Sequence, residues 1–188
     1  MSPALSPQLA AVDAELERLT AEVRSLADAS TDERFNQPPA PGGWSAAQCV
    51  NHLTVTGRLY LPSFDVALIE ARARNRVGAG PFQHTLLGRL AIWNSDAPPK
   101  FKLPAPRAMR PTAKPAAPVP RDVVVREFVE VQREFQQRVR DAAGLDLGRV
   151  RMGSPLAPLF RLPLWDWFGV LTAHERRHVL QARKALGL

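Results

Sequence analysis

"AHERRHVLQARKALGL", residues 173–188, closes the chain, and its His174-Glu175-Arg176-Arg177-His178 matches the H-E-x-x-H pattern by which many zinc proteases hold their metal. On a helix, His174 and His178 lie one turn apart on one face, about 5–6 Å between Cβ atoms, so both imidazoles can reach one ion. A peptidase site needs a third protein ligand and an open coordination position. Only ten residues follow His178, and none of them is His, Asp, Glu or Cys. The third ligand must therefore come from upstream, on another helix. Such enzymes also need a cleft edged by a strand that aligns the peptide, and no segment of the sequence reads convincingly as a strand. The protease reading fails on both counts.

Working outward, the helix that carries the doublet follows Pro163, a favourable first-turn residue, and is expected to run to about Leu186. Asp166 in its first turn suits the helix dipole. Far upstream, "GGWSAAQCVNHL" (residues 42–53) opens a second helix. Ser45 is a good N-cap, Gln48 completes a capping box, and Trp44 is placed as a hydrophobic staple. The helical pattern runs on to about Arg76, with a kink expected at Pro62, and a short helical piece around residues 82–93 follows. Before these, Leu9, Val12, Leu16, Leu19, Val23 and Leu26 mark an amphipathic first helix. Another, from near Asp122, carries Val125, Phe128, Val131, Phe135 and Val139 and stops at Gly144.

Between the second and third main helices, residues 96–120 hold eight prolines, which predicts an extended, proline-rich connection. The sequence therefore reads as one all-α domain over residues 1–188, a four-helix bundle with this long loop inside it; such bundles build metal sites from side chains facing the core. The formal charge is +7, but Lys100, Lys102, Arg107, Arg110, Lys114 and Arg121 contribute six of it from a stretch without an acid. The body is left nearly neutral, which argues against a nucleic-acid-binding face. The most apolar run, residues 154–173, contains three prolines, Arg161 and Asp166, so no membrane span is expected. One cysteine, Cys49, excludes an internal disulfide framework; with no signal peptide visible, a cytoplasmic location is expected.

Of four histidines, His52 falls on the inner face of the second helix, near Gln48, Cys49, Val55, Thr56 and Leu59. A lone histidine there reads as a hydrogen-bonded core residue. Beside the His174/His178 doublet it becomes the natural third ligand. At this point the chain resembles the DinB/YfiT-like superfamily of bacterial metal-binding four-helix bundles. Trp44, Ser45 and His52 match its first motif, and His174, His178 and Gln181 its second. The resemblance implies a three-histidine site of His52, His174 and His178 for a divalent metal ion, zinc or nickel. It also implies a metal-dependent transferase using a low-molecular-weight thiol of the bacillithiol or mycothiol type, or a related hydrolase, acting on a small electrophilic substrate. The alternative is a non-enzymatic, stress-related metal-binding protein with a structural or vestigial site.

Helical geometry sets Trp167 and Gln181 near the histidine face. Gln181 suits a supporting hydrogen bond, and Trp167 a place in the core or the pocket wall. Glu175 lies about 80° from the midline of the pair. It could serve as a general base, but the missing peptidase constellation favours a solvated partner of Arg176. Cys49 reads as a buried structural thiol, and His84, with no histidine, cysteine or acid at ligand spacing, as a bystander. Apolar faces on the outer helices would permit a homodimer.

Overall fold

The computed structural model describes residues 4–39, 42–98, 105–112 and 118–188. Its long helices begin at side-chain caps or prolines. α1 (Pro7–Asp28) is capped by Ser6 and buries Leu9, Leu16, Leu19, Val23 and Leu26. A five-residue α2 (Asp32–Asn36), capped by Thr31, follows and seats Phe35 in the core. α3 (Ala46–Ala73) opens on the expected capping box: the Gln48 N–H donates to Ser45 Oγ, and the Ser45 N–H donates to Gln48 Oε1. It runs unbroken through Pro62, whose missing donor leaves one gap in a ladder held by buried Leu61 and Phe64 on either side. α4 (Leu86–Ser95) starts four residues later than the expected short piece, because Thr85 caps it.

α5 (Arg121–Asp141) buries Val124, Phe128, Val131, Phe135 and Val139, with Val125 half-buried. After it the chain turns at Gly144, whose φ of +78° favours glycine. α6 (Leu164–Ala185) starts directly behind Pro163, as expected.

α1, α3, α5 and α6 form the bundle. α1 packs on α5 and α6, and so does α3. α1 and α3 thus stand opposite each other across the bundle, as do α5 and α6, whereas α3 and α5, consecutive along the chain, pack side by side. Two apolar clusters fill the interior. One surrounds Phe64, Phe135, Trp167 and Phe168, and the other surrounds Phe35, Val50, Phe128 and Val179. Along α6 the first cluster ends at Leu171 and the second begins at Val179, so residues 174–178 fall in the gap. Along α3 the gap runs from Leu53 to Tyr60. Buried Thr56, Glu175 and His178 fall in these gaps, with His52 at the edge of the gap on α3 and Gln132 of α5 bonded to Glu175. The core is divided by a polar layer, a costly arrangement unless its groups are bonded or hold a ligand.

The expectation of a chain without strands is corrected. β1 (Arg151–Ser154) and β2 (Ala157–Pro163) form an antiparallel hairpin, irregular at Gly153/Ser154. Five of the seven residues of β2 are exposed, so the buried/exposed alternation that betrays a strand is missing, and prolines punctuate it. The hairpin is pinned by the Trp167 indole N–H, which donates to the Met152 carbonyl at 2.8 Å. That lies two helical turns from His174, so the hairpin does not edge the histidines.

α4 lies against α6 because Gly88 has no side chain. A Cβ there would collide with the carboxylate of Asp166. A Gly88→Ala variant should lose about 1–3 kcal/mol of stability, the usual cost of overpacking, measured by urea unfolding. Of the expected proline-rich connection, residues 99–104 and 113–117, with Lys100, Lys102 and Lys114, lie outside the described residues. Within the rest, Arg107–Met109 forms one 3-10 turn and Met109 is buried. No described helix is long and apolar enough to cross a membrane.

Candidate metal centre

The capping box fixes the start of α3, and seven residues on it places His52 at the polar layer. The one-turn spacing on α6 brings His174 and His178 to the same point. The structure thus gathers His52, His174 and His178: each offers a ring nitrogen, and these all lie within 4.8 Å of one another. The ring centroids are 4.5–5.0 Å apart. His52 Nε2 and His174 Nε2 are separated by 3.2 Å. Two nitrogens bound to one tetrahedral ion at the usual zinc distance stand about 3.3 Å apart, so the spacing suits a shared cation.

The ring of His52 has a support outside the cluster. His52 Nδ1 meets the Met109 carbonyl, which can only accept, so Nδ1 carries the proton and Nε2 presents its lone pair to the cluster. This is the outer-shell bond by which ligating histidines are oriented. It also gives segment 105–112 a role in the site. Gln181 stands near His178 and slightly opposes the fall of its pKa. His178 Nδ1 is buried without a hydrogen-bond partner, which an ion would relieve. Trp44 packs at 4.9 Å against His52 and stacks at 5.7 Å on His178, walling one side.

Burial lowers the pKa of all three imidazoles, that of His174 to about 3. Mutual repulsion among the rings and the charge of Arg177 push His174 and His178 further down. Neutral imidazoles at physiological pH are the state that ligands require. The donor set, its spacing and its protonation therefore fit a divalent ion.

Glu175 is not the solvated partner of Arg176 that was expected. It is buried, and Gln132 Nε2 on α5 donates to its Oε2 at 2.6 Å. Arg176 pairs instead with Asp96 and Glu15. Burial raises the Glu175 pKa to about 8. Glu175 and His174 form the polar end of a small cavity whose other walls include Leu53, Thr56, Tyr60, Phe64 and Leu171. The Thr56 hydroxyl there is buried without a partner. Because the folded-state pKa of Glu175 lies above its unfolded value, its contribution to stability is complete below pH 4.5 and is lost as pH rises through about 8. Glu175→Gln, which mimics the neutral acid, should match wild type near pH 4.5 and melt progressively higher than it towards pH 9, measured on metal-free protein.

His84 is not a bystander. Its Nδ1 lies 2.9 Å from Oδ1 of Asp166, and its ring stacks on Trp165 at 5.2 Å. Asp166 is completely buried and also accepts from the Thr85 N–H at 3.2 Å and the Thr85 hydroxyl at 2.6 Å. It does far more than offset a helix dipole. Sequence spacing missed the pair because its members are 82 residues apart. Cys49 is buried, its pKa raised by burial to about 12, and it stands outside the histidine cluster. Trp167 packs in the core against Tyr60 rather than beside the triad.

These features have counterparts among known proteins. The solved structure of YfiT from Bacillus subtilis, described as a probable metal-dependent hydrolase with an unusual four-helix bundle topology, superposes with a TM-score of 0.59 at 17% identity. The match covers 97% of this chain and 88% of that one. No curated protein sequence matches. The family model of the DinB superfamily matches residues 15–182. With that match over most of its length and the four-helix bundle around it, the chain belongs to the DinB superfamily.

Proposed function

We propose that the protein binds one divalent ion through His52, His174 and His178 and uses it to transfer a low-molecular-weight thiol to a small electrophilic substrate. The observation that carries this reading is the convergence of three neutral imidazoles, one of them oriented by a backbone carbonyl, between the two apolar clusters of the core. Three histidine ligands leave further positions on the ion open, the mark of a catalytic rather than a structural site. Bound there, a divalent cation would lower the pKa of a thiol or a water and so supply a nucleophile at neutral pH.

No thiol of the chain serves at this place. Cys49, its one cysteine, is buried and held protonated. A thiol nucleophile therefore comes from outside. In the transfer, a sulfur–carbon bond forms, the bond from carbon to the leaving group breaks, and the thiol proton departs with that group. The residues of the chain bind and orient: the Met109 carbonyl fixes the His52 ring, Trp44 excludes water from one side, and the cavity beside His174 receives an apolar part of the substrate.

A second reading, hydrolysis, uses the same residues with water as nucleophile. The buried Glu175 at the edge of the cavity and the description of YfiT favour it. Metal-loaded protein offered a panel of small electrophiles with and without bacillithiol- or mycothiol-type thiols separates the readings. Thiol-dependent thioether formation supports transfer. Product formed with water alone supports hydrolysis. No turnover with any pair supports a non-enzymatic metal-binding role.

A further inference from the structure

Among the described residues four threonines are buried, all of them on long helices, and three use their hydroxyls alike. Thr20 donates to the Leu16 carbonyl at 2.8 Å, Thr54 to that of Val50 at 3.3 Å and Thr172 to that of Phe168 at 2.8 Å. Each bond runs one turn back along the residue's own helix. Thr56 is 4% exposed, yet its hydroxyl makes no such bond and has no other partner. A buried hydroxyl left unpaired costs stability unless something else meets it.

Two observations place Thr56 beside the histidine centre. On α3 it stands one turn beyond His52 on the same face, about 5–6 Å between Cβ atoms. It also lines the cavity in whose wall His174 lies. The cavity offers about 20 Å³, room for one water-sized group rather than a ring. Its remaining walls are largely apolar, Phe64, Phe135 and Leu171 among them. No Lys or Arg lines it, and the Glu175 side chain closes its polar end, so a carboxylate would find no cation there. A threonine hydroxyl both donates and accepts, which suits an alcohol or a carbonyl.

We propose that Thr56 is a specificity-determining residue. Its hydroxyl bonds an uncharged oxygen, of an alcohol or a carbonyl, at the narrow end of the small molecule that occupies the metal centre. This rests on the metal reading above and narrows its substrate class.

The test compares 2-mercaptoethanol with 1-propanethiol, equal in length and differing by hydroxyl for methyl, in calorimetric titration of zinc-loaded protein. Thr56→Val should lower the ratio of their affinities about tenfold in favour of propanethiol, the worth of one buried hydrogen bond. Thr56→Ser, which keeps the hydroxyl, should hold the ratio near that of wild type. Without either thiol, Thr56→Val should unfold at no lower urea concentration than wild type, whereas Thr54→Val, which strands the Val50 carbonyl, should unfold earlier. A ratio that stays within twofold of wild type in Thr56→Val, an equal fall in Thr56→Ser, or wild type that binds neither thiol would overturn the proposal. So would earlier unfolding of Thr56→Val, because the hydroxyl would then have a partner within the fold. Zinc content, measured first on each sample, judges the triad separately. If wild type holds no zinc, the metal reading fails, and the same ratios read by NMR titration of metal-free protein decide the role of Thr56.

Discussion

His52→Ala protein is expected to purify folded but without its ion, and to lose turnover with it. Removing an outer-shell partner of a metal ligand typically costs 10–100-fold in affinity, and removing a ligand itself should cost more than that. The effect should exceed 100-fold in metal dissociation constant, read by titration against a chelator of known affinity. The variant also frees the Met109 carbonyl in a buried place, so about 1–3 kcal/mol of stability should go with it. Both effects follow from one feature: the ring at position 52 is fixed at Nδ1 by the loop after α4 and presents Nε2 to the doublet on α6. A variant that keeps the wild-type metal content would remove His52 from the ligand set.

Asp166→Ala should be the most destabilising substitution outside the apolar core and should leave metal content unchanged. The carboxylate has no solvent exposure and serves three donors, His84 Nδ1, the Thr85 N–H and the Thr85 hydroxyl. Stranding buried donors costs about 1–3 kcal/mol each, and water entering beside the half-exposed His84 would recover part of it. A net loss of about 3 kcal/mol is expected, equivalent to a drop of about 6–12 °C in Tm for a chain of this size. His84→Ala, which leaves both Thr85 bonds intact, should cost about 1 kcal/mol. Chemical denaturation of the two variants checks the difference. If Asp166→Ala unfolds within 0.5 kcal/mol of wild type, the 84–88 segment is not anchored through this carboxylate.

The parts of this architecture that were legible in the sequence are those written in local spacing. The Ser45/Gln48 capping box, the His174/His178 step and the Leu9–Leu26 stripe each depend on residues within one or a few helical turns. They set helix starts, faces and the three rings. What remained illegible depends on contacts between distant stretches. Glu175 looks like a surface acid until Gln132, 43 residues away, is seen to meet it. His84 looks isolated until α4 is laid over Asp166, which the absence of a side chain at Gly88 permits. The hairpin is short, mostly exposed and bordered by proline, so neither periodicity nor propensity marks it. The polar layer that divides the core emerges only once four helices are aligned side by side.

The central claim is that imidazoles from α3 and α6 share one cation. X-ray absorption spectroscopy of the zinc-loaded protein tests it most directly. The account predicts one zinc per chain with three imidazole nitrogens at about 2.0–2.1 Å, the remaining coordination filled by a light atom not supplied by the protein. A sulfur scatterer at about 2.3 Å, fewer than three imidazoles in the first shell, or protein that takes up no zinc would contradict it.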